Sequence, residues 1–160
     1  MTYKISSNGF DYSFGFLKPD CVQRDIIEEV YAMINEEHLE VLIKKRMRFI
    51  KSEAELLYRE WQDKSFFERA VNNICCGPIE AFIVRGRNAI SKLEDVVGGS
   101  HSQDLGNLNT IRSKYAITRT QNTIHSTSDL ISLKREVLIV FSAEEIKSVD
   151  GLSECILDNR

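Results

Sequence analysis

The chain has 160 residues, of which 42% are hydrophobic and 28% are charged, and its formal net charge at pH 7 is -3. This length and balance are typical of one globular domain with its own core. The small negative charge gives no general attraction to nucleic acid or to anionic lipid, so we expect neither as a partner, and a phosphate ligand would need a few placed cations. No apolar run is long enough to span a membrane, and no basic stretch followed by an apolar one predicts a secretory signal.

The amino-terminal part of the chain predicts strands and helices in alternation. Aromatic and small residues alternate over 12–18, which predicts a strand that a proline ends. Apolar residues recur at helical spacing over 26–34 with glutamates between them, which predicts an amphipathic helix. The β-forming residues of 39–50 predict a long second strand. After it, the pair Ser52 and Glu55 predicts a capping box that begins the next helix.

The central part continues this alternation. We expect a helix over 66–74, a strand over 79–86 and a helix over 88–97, with glycines ending the last two. The polar segment 100–109 predicts a loop. The β-forming residues of 115–120 predict the fourth strand.

The carboxyl-terminal part predicts two helices and a tail. Ser128 or Asp129 would cap a helix over 130–138, and Ser142 with Glu145 would form the capping box of a short last helix. The final residues predict a polar tail with few apolar anchors. Those anchors are Leu152, Ile156 and Leu157.

This order of elements predicts the fold class. Strands interleaved with helices indicate one sheet with helices packed on one of its faces, an α+β or α/β sandwich. No repeat or linker divides the sequence, so we expect a single domain over 1–160 with its core at about 12–149. The four cysteines form no C-x-x-C pair, and we expect them to be reduced thiols of a cytoplasmic protein, without an assigned function.

The common nucleotide and zinc motifs are absent. There is no P-loop, no G-x-G-x-x-G after a strand and no H-E-x-x-H. Of the three histidines, we expect His38 and His101 at the surface. His125 is followed eleven residues later by Glu136, whose carboxylate could hold one ring nitrogen and leave the other unprotonated for nucleophilic attack. Taken alone, this pair favours a structural interpretation, because most such pairs in proteins are structural.

Five sequence stretches, taken in chain order, favour a functional interpretation of His125 over the structural one. They are LKPDCVQR, FF after a helix with a tyrosine, CCGPIEAFIVRG, NTIRSKY and NTIHSTSD. Together, and with their spacings, they resemble the nucleoside diphosphate kinase family from about Phe14 to Ile146. Both prolines of the chain fall inside these motifs.

The resemblance implies a fold and an activity. The expected fold is a ferredoxin-like βαββαβ core with a four-stranded antiparallel sheet and helices packed on it, in a cytoplasmic homo-oligomer that is a hexamer or a tetramer. The expected activity is transfer of the γ-phosphate of a nucleoside triphosphate such as ATP to a nucleoside diphosphate. The transfer is ping-pong, through a phosphohistidine, with Mg²⁺ held mainly by the nucleotide phosphates.

The resemblance also implies roles for the residues that match the motifs. His125 is the phosphorylated nucleophile, and Glu136 orients its ring. Lys18 contacts a phosphate and the ribose 3′-hydroxyl, and Asn122 holds the same hydroxyl. Arg112 binds the phosphates.

Four further positions match the family's nucleotide site. Phe66 stacks on the base, which explains indifference to the base because every base has a π-face. Tyr58 stands near the catalytic histidine, Thr127 supplies a hydroxyl, and Ser100 stands where the family has a phosphate-binding threonine. From residue type alone, we expect one of Phe66 and Phe67 to be a core residue. For Tyr58 and Thr127, residue type favours a site role and a core role equally.

Some positions depart from the family pattern. Glu94, six residues before Ser100, stands where the family has a second phosphate-binding arginine. Two unit charges ~4 Å apart interact by roughly 4 kcal/mol at an effective dielectric near 20. Because Glu94 replaces an attractive charge by a repulsive one, we expect phosphate binding to be weaker. Ser126 and Ser128 replace a glycine and an aspartate, and Cys21 replaces the glycine after KPD.

Three functions are compatible with these departures. The first is a nucleoside diphosphate kinase that is slower or narrower in substrate. The second is a kinase with a specialised nucleotide-like acceptor that Glu94 helps to bind. The third is a nucleotide-binding relative with little turnover. The joint presence of the nucleophile, its carboxylate partner and two cations favours phosphoryl transfer.

Overall fold

The computed structural model describes residues 8–99 and 108–158. The strands are β1 (Asp11–Leu17), β2 (Glu40–Met47), β3 (Ile79–Gly86) and β4 (Ile124–Ser126). They form one sheet in the order β2-β3-β1-β4, and each neighbouring pair is antiparallel. This is the expected α+β fold with a four-stranded antiparallel sheet, and it places β4 at one edge beside β1.

The helices lie between the strands and after β4. They are α1 (Pro19–Gln23), α2 (Ile27–Glu36), α3 (Lys51–Leu57), α4 (Phe67–Cys75), α5 (Ala89–Val97), α6 (Ile111–Tyr115), α7 (Leu130–Val140), α8 (Ala143–Lys147) and α9 (Leu152–Ile156). A 3₁₀ turn covers Arg59–Trp61 between α3 and α4. None of the described helices is long and apolar enough to cross a membrane.

Helices cover both faces of the sheet, so the expectation of helices on one face is wrong. Phe14 and Phe16 of β1 point into a core with α3, α4 and α7. Leu17 of β1, with Phe82 and Val84 of β3, points into a second core with α2 and α5. Because β1 and β3 are apolar on both sides, each face of the sheet has to be covered to remove these side chains from water.

The fourth strand lies later than the sequence predicted. Residues 115–120 are not a strand, because the amides of Ile117 and Thr118 both donate to the carbonyl of Gln121 and close a turn. Just before them, Thr110 caps α6 by accepting a hydrogen bond from the amide of Ser113 at 3.1 Å. These local contacts override the β-propensity of the segment, and β4 forms at the histidine instead.

The start of α3 also differs from its prediction. The helix begins at Lys51, and the carboxylate of Glu53 accepts the amide of Ile50 at 3.1 Å. The expected capping box of Ser52 and Glu55 is therefore wrong. A glutamate in the first turn satisfies a free amide two positions earlier than the motif suggests.

The predicted caps at the other end of the chain are confirmed. Asp129 caps α7 by accepting the amide of Ser132 at 2.8 Å. Ser142 and Glu145 form the reciprocal capping box of α8, at 3.2 and 2.8 Å.

The segment expected as a polar tail contains the helix α9. Leu152 and Ile156 are 1% and 3% exposed and belong to the same core as Tyr12, whereas Leu157 is 36% exposed. The Tyr12 hydroxyl donates to the carbonyl of Asp150 at 2.6 Å, which ties this segment to β1.

Candidate active site

His125 lies on β4 directly opposite Phe16 of β1. The two rings stack with centroids 4.8 Å apart and planes 21° from parallel. Beside them, Gly15 allows the two strands to approach, because a Cβ at that position would lie 2.5 Å from the carbonyl oxygen of His125 and 2.7 Å from the Phe82 ring. The imidazole is thus held in one orientation, and it is only 8% exposed.

Glu136 on α7 fixes the protonation of the His125 ring. Its Oε2 lies 2.9 Å from Nε2 of His125 and accepts the Thr127 hydroxyl at 2.8 Å. Burial alone would raise the pKa of Glu136, but the charge of His125 and the hydrogen bonds from His125 and Thr127 outweigh it and lower that pKa. Since a carboxylate only accepts hydrogen bonds, the proton of the neutral ring resides on Nε2, and Nδ1 keeps a free electron pair.

Lys18 directly follows β1 and lies beside the loop that leads to His125. Its Nζ donates to Oδ1 of Asn122, which in turn donates from Nδ2 to the carbonyl of Arg119 at 2.9 Å. Burial, and then the positive charge of Arg112, lower the pKa of Lys18 to about 7, while Asp20 opposes the shift. The side chain is 6% exposed and has no carboxylate bound to it in the described structure.

Asp20, which the sequence interpretation left without a role, shapes the same loop. Its Oδ2 accepts the amide of Thr123 at 3.0 Å, and the Lys18 amide donates to the carbonyl of Thr123 at 2.9 Å. Thr123 has a φ of 78°, a left-handed conformation that is costly for a β-branched residue, by about 1–3 kcal/mol. The KPD motif therefore holds a strained backbone between Asn122 and His125.

Arg112 reaches the site from α6. Its Nη1 donates to the carbonyl of Gly98 at 3.2 Å and its Nη2 to that of Ile124 at 2.8 Å. Its Nε is buried and has no hydrogen-bond partner within 8–99 and 108–158. Burial lowers the pKa of this guanidinium. Its hydrogen-bond partners among the described residues are neutral carbonyls, so its charge is available to an anion.

Three rings form a wall of the cleft. Tyr58 is buried, with its ring centroid 5.8 Å from that of His125 and 4.7 Å from that of Trp61. Trp61 is 39% exposed and meets Phe66 edge to face at 5.8 Å. Trp61 was missed by the sequence interpretation, although its position three residues after Tyr58 is one turn of helix and was a usable signal.

These side chains surround one cleft of about 780 Å³. Of the residues that the sequence predicted for the site, eight line this cleft. They are Lys18, Tyr58, Phe66, Glu94, Arg112, Asn122, His125 and Glu136. Thr127 does not line the cleft: it is fully buried, and its hydroxyl binds Glu136 in place of the expected nucleotide contact. Ser100 lies outside the described residues.

Glu94 projects from α5 at the mouth of this cleft. Partial burial, and then the negative charges of Asp95 and Asp129, raise its pKa. The surroundings of Glu94 are therefore acidic, where an arriving phosphate would favour a cation.

Arg135 is a second residue that the sequence interpretation missed. Its Nη1 lies 2.9 Å from Oε1 of Glu60, and its Nη2 lies 3.7 Å from Oε1 of Glu136. The side chain is 14% exposed and lines the cleft. Arg135 therefore forms an ion pair with Oε1 of Glu136, the carboxylate oxygen that does not contact His125.

The lowered pKa of Lys18 leads to a prediction about pH. A bound phosphate would raise this pKa above about 7, so nucleotide binding at pH 8 should take up a proton, and the affinity should fall as the pH rises above 7, by at most about tenfold per pH unit. Calorimetric titration with ADP in buffers of different ionisation enthalpy measures the uptake. Lys18→Met should remove it. Binding at pH 8 without proton uptake would contradict the assignment of Lys18 to the phosphates.

The family model described as nucleoside diphosphate kinase matches residues 11–146. A nucleoside diphosphate kinase of Haemophilus ducreyi is 33% identical over 130 residues, 81% of this chain and 94% of that protein. One of Sulfurisphaera tokodaii is 31% identical over 134 residues, 84% of this chain and 90% of that protein.

Solved structures give the same result. A halophilic nucleoside diphosphate kinase from Halobacterium salinarum, in complex with CDP, superposes with a TM-score of 0.79 at 30% identity, over 84% of this chain and 90% of that one. The Aquifex aeolicus nucleoside diphosphate kinase superposes at 0.80 and 22% identity over 85% and 98%, which supports the fold alone. The expected fold, family and enzyme class are confirmed, and the chain belongs to the nucleoside diphosphate kinase family.

Proposed function

We propose that the protein transfers the γ-phosphate of ATP to a nucleoside diphosphate through a phosphohistidine at His125. The observation that carries the proposal is the contact between Nε2 of His125 and Glu136, inside a cleft that is also lined by the buried cation Lys18 and the half-buried cation Arg112. This contact leaves Nδ1 as the nucleophile.

The proposed reaction has two half-reactions. Nδ1 of His125 attacks the γ-phosphorus, a P–N bond forms, and the bond from phosphorus to the bridging oxygen breaks as the nucleoside diphosphate leaves. In the second half, a terminal phosphate oxygen of an acceptor diphosphate attacks the phosphohistidine, and the P–N bond breaks. Glu136 keeps the proton on Nε2 throughout, so no proton has to leave Nδ1.

Neutralisation of the phosphate charge contributes most of the rate enhancement in such a transfer. Lys18 and Arg112 are the described cations assigned to this task, and Asn122 orients the Lys18 ammonium. Among 8–99 and 108–158, no group of three His, Cys, Asp or Glu side chains could hold a metal ion. We infer, as the family resemblance implies, that Mg²⁺ enters on the nucleotide, held mainly by phosphate oxygens, where it would neutralise their charge.

Glu94 gives a direct prediction for this scheme. Glu94→Arg should raise kcat/KM for ordinary nucleoside diphosphates by about tenfold, because it replaces repulsion at the mouth of the cleft by attraction, discounted for solvent screening. Asp95→Arg is the matched control: it makes the same charge change one residue away, outside the cleft lining. Lower activity in Glu94→Arg alone would mean that Glu94 binds a cationic or hydroxyl-rich acceptor.

The proposal is tested by incubating the protein with γ-labelled ATP and Mg²⁺. We expect label on the protein that acid removes and alkali does not, and that common nucleoside diphosphates discharge. Label that none of them discharges would indicate a specialised acceptor. No label with nucleotide still bound would overturn the proposal and leave a nucleotide-binding relative with little turnover.

We further infer a cytoplasmic homo-oligomer, a hexamer or a tetramer. Free thiols at all four cysteines support a reducing compartment. Ile131 and Leu138, 75% and 53% exposed on α7, support a surface that further copies cover. Light scattering coupled to size-exclusion chromatography measures the assembly, and a monomer at micromolar concentration would contradict it.

A further inference from the structure

We propose that Asn73 is a positioning residue for phosphate binding, which acts from outside the cleft through Thr120 on the Lys18 ammonium. The inference rests on the proposed function in assigning Lys18 to the phosphates of a bound nucleotide. It adds a residue of α4 that sets where the acceptors of this ammonium lie.

The Lys18 ammonium is oriented by two acceptors that are close together in the chain. Its Nζ donates to Oδ1 of Asn122 and to the carbonyl of Thr120, the second at 3.5 Å. Both acceptors belong to the segment 116–122, so the place of this segment decides the orientation of the ammonium. Because 3.5 Å is near the outer limit of a hydrogen bond, a small displacement of Thr120 would end this contact.

Bonds inside the segment 116–122 fix its shape. The Thr118 hydroxyl accepts the amides of Thr120 and Gln121 at 3.3 and 2.9 Å, and Nδ2 of Asn122 donates to the carbonyl of Arg119 at 2.9 Å. These bonds join residues of the same segment, so they do not set its distance from the rest of the molecule. Contacts with other elements have to do so.

Two charged side chains at α1 hold the backbone on either side of the segment. Nη1 of Arg24 donates to the carbonyl of Tyr115 at 2.6 Å, and Oδ2 of Asp20 accepts the amide of Thr123 at 3.0 Å. Thr120 lies between these two contacts and is bound by neither. Its position therefore depends on a further contact.

Asn73 supplies that contact. Its Nδ2 donates to the hydroxyl of Thr120 at 2.7 Å. Asn73 is half-buried on α4 and does not line the cleft, whereas Thr120 is buried and lines it. The bond thus joins α4 to the residue whose carbonyl accepts the Lys18 ammonium, and it fixes that carbonyl without touching the nucleotide.

The test measures the dissociation constant of ADP in Mg²⁺ by calorimetry on the full chain. Asn73→Ala should weaken binding about three- to tenfold, the range expected for the loss of one hydrogen bond. Thr120→Val removes the hydroxyl and keeps the carbonyl, so it should have the same effect, and Thr120→Ser should bind normally. Asn72→Ala is the matched control, because Asn72 is the exposed neighbour on the same helix, and it should bind ADP normally.

The variant Lys18→Met distinguishes positioning from a general effect on stability. In that background Asn73→Ala should change ADP affinity less than twofold, because the group that it positions is gone. An equal loss in both backgrounds, or a lower Tm in Asn73→Ala without any loss of affinity, would overturn the inference. These are equilibrium measurements, so a protein that shows this pattern but forms no phosphoenzyme would refute the proposed transfer and leave the positioning role standing.

Discussion

Replacement of His125 by alanine is expected to abolish the phosphoenzyme and to lower phosphoryl transfer by at least about 10⁴-fold. The cause is loss of the nucleophilic Nδ1. No described neighbour can replace it, because the Thr127 hydroxyl and the Glu136 carboxylate are hydrogen-bonded to each other. Nucleotide affinity should change little, since Lys18 and Arg112 are held by groups other than the imidazole ring. Acid-labile labelling with γ-labelled ATP measures the first effect and calorimetry the second.

The matched control is a histidine outside the cleft. His38 is exposed and has a φ of 58°, so His38→Asn keeps a residue type that tolerates this backbone. It should form the phosphoenzyme at the normal rate. Labelling that survives His125→Ala would place the nucleophile elsewhere.

The second large effect is expected for Glu136→Gln. The glutamine amide either donates to Nε2, which moves the ring proton to Nδ1 and blocks attack, or accepts with a neutral oxygen that holds the ring less strongly. It also leaves the Arg135 guanidinium without its second carboxylate. We expect kcat to fall by about 10²- to 10⁴-fold, in line with the loss of an orienting carboxylate in other histidine-dependent enzymes.

A nitrogen NMR spectrum of His125 distinguishes the cause of that loss. The normal protein should show the proton on Nε2 in the neutral ring, and Glu136→Gln should show a mixture or the other tautomer. Glu144→Gln, at an exposed position on α8, makes the same chemical change and should alter neither property. A loss of less than about threefold in Glu136→Gln would remove Glu136 from the mechanism.

The site residues were accessible to sequence interpretation because most of them lie in short motifs. Asn122 and His125 are three residues apart, and Lys18 directly precedes Pro-Asp, so local spacing carries the signal. The partner of His125 is also near in sequence, on the helix that follows β4. The structure places these side chains in one cleft, as the resemblance implied, but their catalytic roles stay predictions until the variants are measured.

Other features depend on contacts between distant parts of the chain. Asp20 binds the backbone of Thr123, 103 residues later, and Arg135 binds Glu60 from a different helix. No local pattern indicates such pairs. For the same reason the fourth strand was placed too early: β-propensity describes one segment, whereas β4 exists because its backbone pairs with β1.

By itself, the sequence determined the family, the order of most elements, and the nucleophile that we propose, because each depends on residue type and short spacing. Only the tertiary structure decided that both faces of the sheet are covered and that Thr127 turns to Glu136 and away from the cleft. The physical reason is that burial, hydrogen-bond partners and local charge are properties of neighbours in space, which only the folded chain brings together.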